Sequence, residues 1–123
     1  MKLRESIAIV TGGVSGLGEA CVRALAAEGA KVCIFDLATD RGKKIAAELG
    51  GNVLFAQADV TSEESVQLAI KQALDAFGGL NVAINCAGIG DPAKVLSKKG
   101  PMPLSFFNRM LQINLVGTFR IYP

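Results

Sequence analysis

The 123-residue sequence has no histidine, which removes every mechanism built on an imidazole base. Cysteine is scarce: Cys21, Cys33 and Cys86 stand singly in apolar contexts. An odd count without metal spacing reads as reduced intracellular thiols, not a disulfide framework or a zinc site. Charge of one sign is lacking too. The net charge is +2, with no long basic block, so nucleic acid is not an attractive partner. No apolar run is long enough to span a membrane. The first apolar run follows MKLRES at once, is too short for a signal peptide and ends in glycines. What remains is a globular composition, half hydrophobic and one-fifth charged, with enough chain for one domain over residues 1–123.

The chain is organised around IAIVTGGVSGLG, Ile7 to Gly18. Ile7 to Val10 read as a buried parallel strand. Thr11, Gly12, Gly13, Gly16 and Gly18 follow, and an amphipathic helix begins after Gly16. A strand, a glycine turn and a helix N-terminus together make an anion site, because free N–H groups and the positive end of the helix dipole face one point. The spacing, Gly12-x-x-x-Gly16-x-Gly18, differs from the commonest G-x-G-x-x-G fingerprint. A glycine turn that merely packs a helix close to a strand is the plainer alternative.

The first helix is expected from about Leu17 to Glu28, with Leu17, Ala20, Cys21, Ala24 and Leu25 as its apolar stripe and Gly29 as its stop. The second strand, Lys31 to Phe35, ends at Asp36. That carboxylate lies 18 residues after Gly18, beside the crevice where such sheets bind ligands, in place to hold a ribose diol and to repel the extra phosphate of NADP, a reading favoured over a solvated strand end or helix cap. Thr39 or Asp40 can cap a second helix, with Ile45, Ala46 and Leu49 inward and Gly50-Gly51 closing it. A third strand, Val53 to Ala56, runs out through Ala58-Asp59-Val60. Thr61 with Glu64 forms a capping box for a third helix, whose stripe is Val66, Ala69, Ile70, Ala73, Leu74 and Phe77. Asp59 reads equally as a strand-end carboxylate or as a group reaching an adenine edge, with Val60 packing beside it.

The fourth strand, Leu80 to Asn85, breaks at Asn85-Cys86-Ala87-Gly88, where small residues let a ligand lie against the backbone. Cys86 is expected to act as a small hydrophobe. Ile89 to Pro103 is loop by composition. Its Lys94, Lys98 and Lys99 read first as a solvated edge and second as a contact for a phosphorylated acyl carrier. The last helix starts near Ser105. Phe107, Met110, Leu111, Asn114 and Thr118 share one face, so Asn114 is expected to point inward. It is either a structural amide bridging to Asn85 or nearby backbone, or an amide holding a water or catalytic group.

These residues resemble the short-chain dehydrogenase/reductase family over nearly the whole chain. The likeness rests on Thr11-Gly12-xxx-Gly16-x-Gly18, Asp36, Asp59-Val60, Asn85-Cys86-Ala87-Gly88 and Asn114 in its helix. TGGVSGLG, FDL, ADVTSE, NCAGI and the KKG loop look most like the type II 3-hydroxyacyl-CoA dehydrogenase branch. The resemblance implies a Rossmann-type, doubly wound parallel α/β sheet, present here as its N-terminal half: four strands in order 3-2-1-4 with flanking helices. It implies NAD as cofactor. Gly12, Ser15, Gly16, Leu17 and Gly18 would form the pyrophosphate turn and Asp36 would hold the ribose. Asp59 and Val60 would hold adenine, and Cys86, Ala87 and Gly88 would line the nucleotide.

Asn114 would be the asparagine of an Asn-Ser-Tyr-Lys catalytic set acting on a small hydroxy or keto substrate, an acyl-CoA among them. The later serine and the Tyr-x-x-x-Lys pair have no counterpart in these residues, since Tyr122 precedes only Pro123. The expectation is therefore an oxidoreductase sequence that is inactive as this chain alone. A non-catalytic NAD-binding module and a dimerisation module pairing through the last helix, as a homo-oligomer or with a longer relative, are the alternatives. The cytoplasm is the expected compartment, with the mitochondrial matrix open through the branch resembled.

Overall fold

A computed structural model describes residues 2–89 and 94–121. Its centre is a parallel sheet of β1 (Ile7–Thr11), β2 (Lys31–Asp36), β3 (Val53–Gln57) and β4 (Val82–Asn85) in the order β3-β2-β1-β4. This is the expected order. The chain starts centrally, moves outward through β2 and β3, then returns to the other side of β1. That reversal sets Thr11 opposite Asn85 at the C-terminal ends of β1 and β4, where the crevice of such a sheet opens.

Alternation along the strands builds two apolar layers. Ala8, Val10, Val32, Ile34 and Val53 face one side, against Val22 and Leu25 of α1 (Gly16–Ala27) and Ile45 of α2 (Thr39–Leu49). Ile9, Cys33, Phe35 and Ala56 face the other, against Val66, Ala69, Ile70 and Ala73 of α3 (Glu63–Phe77). Burial pushes the Cys33 thiol up to about 12, as expected of a thiol kept neutral in an apolar layer. The layers thin at β4, where Ala83 and Asn85 are exposed and Val82 and Ile84 only half-buried. Beside them, Ile9, Ile70, Leu80 and Ile121 line a groove of about 190 Å³.

The helices depart from expectation in instructive ways. The buried edge of α1 is Gly18, Val22 and Leu25. Leu17, expected inward, is 81% exposed, and Ala20 and Ala24 are exposed as well. Gly18 lies so close to the Gly12 carbonyl that a Cβ there would collide with it, and this approach decides which edge faces the sheet. Hydrophobic periodicity gives glycine no weight, so it chose the wrong stripe. Neither Thr39 nor Asp40 caps α2. Its N-cap is Ala38, which has no side-chain cap bond, and its N–H instead donates to Asp36 Oδ1 at 3.1 Å.

The α3 cap is Ser62, one residue beyond the expected Thr61, and its Oγ accepts the Ser65 N–H at 3.2 Å. Thr61 is drawn away by Asp59. Leu74, expected inward, is exposed at the edge of the stripe.

Within the expected loop, β5 (Leu96–Ser97) and β6 (Gly100–Pro101) form a small antiparallel hairpin. Lys94, Lys98 and Lys99 are exposed, whereas residues 90–93, Pro92 among them, lie outside the described residues, as does Tyr122. The last helix begins as α4 (Leu104–Leu111), passes through a π-helical turn at Gln112–Val116 and ends as α5 (Gly117–Arg120). Phe107, Leu111 and Asn114, expected inward, are exposed. Asn114 meets the Ile89 backbone instead of a core, and the wider turn shifts the phase of the residues it carries.

Candidate functional site

Thr11 joins the two strand ends at the crevice. It is 1% exposed, and its Oγ1 accepts the N–H groups of Cys86 and Ala87 at 3.1 Å each. Its carbonyl also accepts the Cys86 N–H at 3.1 Å. Gly12 follows with φ +67°, and a Cβ there would stand 2.8 Å from the Ala87 nitrogen. Only glycine accepts both that φ and that approach. The exit of β1 is thus pressed against the exit of β4, and the turn through Ser15 and Gly16 opens above them into the start of α1.

Asp36 closes the turn from the β2 side. Its Oδ2 accepts the Val14 N–H at 3.4 Å, a long bond, while Oδ1 accepts from Ala38. Arg41, in the first turns of α2, reaches the next peptide along: its Nε donates to the Val14 carbonyl at 2.7 Å, and Nη2 meets Glu19 Oε1 at 2.6 Å. Glu19 is shared with Arg23, which also grips Glu48. The Arg23 guanidinium first, and Arg41 next, hold the Glu19 carboxyl below the usual carboxylate range.

Asp59 sits at the exit of β3. Its Oδ1 accepts the Thr61 hydroxyl at 2.6 Å and the Thr61 N–H at 2.9 Å. Those bonds, hydroxyl first, pull its carboxyl below the usual range against a small burial effect. Val60 is held from the last helix: Arg120 Nη1 donates to its carbonyl at 3.0 Å, and Gly117 lies where a Cβ would press on the Val60 side chain. Asn114 pairs with one residue in both directions. Its Oδ1 accepts the Ile89 N–H and its Nδ2 donates to the Ile89 carbonyl, both at 2.8 Å. This is a bridge to nearby backbone, and it ties the exit of β4 to the π-helical turn.

A cleft of about 500 Å³ runs past these elements. Gly12, Ser15, Gly16, Leu17, Gly18, Asp36, Asp59, Val60, Cys86, Ala87 and Gly88 all line it. Burial, with the Cys21 thiol beside it, raises the Cys86 thiol above its ordinary value, so it lines the cleft as a neutral group. Arg109 and Ile113 line it too, and sequence reasoning missed both. Their i, i+4 spacing on one helix face was the available signal. A larger, more open groove of about 590 Å³ follows the β3 edge between Thr39, Lys43, Phe55 and Leu68. No group of the glycine turn lines it, so its size carries no functional weight. Among the described residues no three Cys, Asp or Glu side chains gather to hold a metal ion, and no helix is long and apolar enough to cross a membrane.

Known proteins share this arrangement. The chain is 45% identical to 3-hydroxyacyl-CoA dehydrogenase type-2 of Homo sapiens over 117 residues, covering 94% of this chain and 45% of that protein. The Drosophila melanogaster protein of that name is 41% identical over 121 residues, 97% of this chain and 48% of its own length. The chain therefore spans about half the length of the curated relatives it matches. Among solved structures, 3-hydroxyacyl-CoA dehydrogenase type-2 from Mycobacterium avium superposes with a TM-score of 0.85 at 40% identity, over 94% of this chain and 45% of that one. A 3-ketoacyl-(acyl-carrier-protein) reductase from Brucella melitensis, complexed with NADH, gives 0.88 at 32% identity, over 97% and 48%. The family model described as short chain dehydrogenase matches residues 6–122, and with the sheet order and the glycine turn in place, the chain belongs to the short chain dehydrogenase family.

Proposed function

We propose that these residues are the dinucleotide-binding half of an NAD-dependent oxidoreductase that interconverts a secondary alcohol and a ketone, with a 3-hydroxyacyl-CoA-like substrate. One observation carries the reading: the eleven residues assigned to the cofactor from sequence come from four separate segments and line a single cleft. Its volume suits a dinucleotide-sized ligand. The cradle fits as well, because Gly12 and Cys86–Gly88 keep its floor free of bulky side chains. In this reading the turn at Ser15–Gly18 takes the pyrophosphate and Asp36 the ribose diol, its charge favouring NAD over NADP. Asp59 and Val60 flank the adenine.

A nicotinamide dinucleotide bound there supplies the hydride acceptor or donor. Asn114 is a positioning residue, holding Ile89 and the exit of β4 in register with α4. The reaction also needs a group that takes and returns the hydroxyl proton. These residues contain no complete Tyr-x-x-x-Lys pair. On this reading they hold the cofactor and do not by themselves move the proton.

Titration of the chain with NADH, followed by calorimetry, tests the assignment. Asp36→Ala is expected to weaken NADH binding about tenfold, the loss of charge-assisted bonds to a diol. Equal binding by the variant would remove Asp36 from the ribose role, and a folded wild type that binds no NADH would overturn the reading. A second reading, association through the last helix, is favoured by a separate observation: Leu104, Leu115 and Phe119 are 70%, 64% and 78% exposed, an apolar strip that a monomer rarely leaves bare.

A further inference from the structure

The glycine turn of this chain is held from outside by a side chain that the reading above leaves without a role. We propose that Arg41 is a positioning residue for phosphate binding, which fixes the Ser15 N–H toward the cleft by gripping the Val14 carbonyl. The inference rests on the proposed dinucleotide site and deepens it. A peptide unit is planar and trans, and no described peptide bond is cis. The Val14 C=O and the Ser15 N–H therefore share one plane and point in opposite directions. Arg41 Nε holds that carbonyl at 2.7 Å, which fixes the direction of the N–H on its far side. Among the described residues the Ser15 N–H donates to no protein acceptor, and Ser15 lines the cleft.

The neighbouring peptide is held less firmly, since Asp36 Oδ2 accepts the Val14 N–H only at 3.4 Å. Asp36 is also the group that a ribose diol would engage, so its hold on Val14 competes with ligand. Arg41 has no such conflict. Its second donor, Nη2, is tied to Glu19 at 2.6 Å, and Glu19 is braced by Arg23, itself paired with Glu48 of α2. The turn is thereby fastened to both α1 and α2 through one guanidinium. A lysine in its place, with a single ammonium, cannot meet the carbonyl and the carboxylate in the same fork geometry.

Calorimetric titration of wild type, Arg41→Met and Glu19→Gln with ADP, NADH and adenosine tests this. Arg41→Met is expected to weaken ADP and NADH about tenfold and to leave adenosine within about twofold, because only the phosphates meet the Ser15 N–H. Glu19→Gln, which loosens the guanidinium without removing it, should give a smaller loss of the same pattern. The Ser15 amide resonance in the free protein should shift or broaden in Arg41→Met as its peptide plane loses the guanidinium hold, a readout that needs no ligand and remains available through Glu19→Gln if the Met variant folds poorly. ADP affinity unchanged in Arg41→Met, or ADP and adenosine weakened alike, overturns the role of Arg41 while leaving the site. A folded wild type that binds neither ADP nor NADH overturns both the site and this inference.

Discussion

Thr11 shows how much one side chain does at the crevice. Its hydroxyl oxygen takes two backbone N–H groups from the exit of β4, and at 1% exposure no water can replace it. Thr11→Val keeps the shape and removes the acceptor. It is expected to cost about 1–3 kcal/mol, the penalty for leaving the Ala87 N–H unpaired while the Cys86 N–H keeps the Thr11 carbonyl, read as a lower midpoint in urea unfolding. Asp59 makes the pH-dependent case. Its folded pKa lies below its ordinary value because Thr61 bonds the ionised form. The carboxylate therefore contributes stability above its unfolded pKa of about 3.9, and that contribution is lost as pH falls through the lower folded value. The melting-temperature gap between wild type and Asp59→Asn should be open at neutral pH and narrow steadily below about pH 4. A gap independent of pH would show that Asp59 acts through shape rather than charge.

At the scale of elements, strands were easier to foresee than helix edges. The apolar runs at Ile7, Lys31 and Val53 become β1, β2 and β3, with β2 ending at Asp36 as read and β1 and β3 each one residue longer, because both faces of a parallel strand are buried and the run itself is the signal. Helix starts turned on hydroxyls one residue apart. Ser62 caps α3, while the Thr61 hydroxyl is spent on Asp59. Ser62→Ala is thus expected to destabilise the chain by about 1 kcal/mol. Thr61→Ala should leave the α3 cap intact, and amide exchange at Ser65 would tell the two apart. The last helix was read as one regular stripe, but a π-helical turn at Gln112–Val116 interrupts it, and Asn114 within that turn pairs with the Ile89 backbone.

For the whole molecule, the sheet is covered on both faces at β1 and β2 and left open at β4. Among the described residues β4 pairs with β1 alone, and the groove at Ile70, Leu80 and Ile121 lies along its uncovered side. A parallel strand with a free edge and an exposed apolar helix favours association over a soluble monomer. The same geometry bears on catalysis. Loss of a general acid/base alone costs about two to four orders of magnitude, and the proposed reading finds no such group among these residues. Purified 123-residue protein is expected to show no measurable steady-state reduction of acetoacetyl-CoA by NADH, even where NADH binds. Measurable turnover would place a proton-transfer group within this chain and overturn the assignment of Asn114 as positioning only.

The sequence alone determined the alternation of strands and helices, and its resemblance to a known family supplied the sheet order, since alternation only narrows the ways in which crossover-linked parallel strands can bury both faces. It also marked the candidate cleft. Glycines, a strand-end aspartate and a small-residue break are local signals, each set by what a backbone at that point must do. Only the tertiary structure decided which α1 edge faces the sheet, since close contact between Gly18 and the Gly12 carbonyl leaves no trace in hydrophobicity. It alone turned Asn114 outward onto Ile89, and it alone brought Arg41 to Val14 across 27 residues. A surface arginine in a helix reads as solvated until the fold gives it a carbonyl to hold.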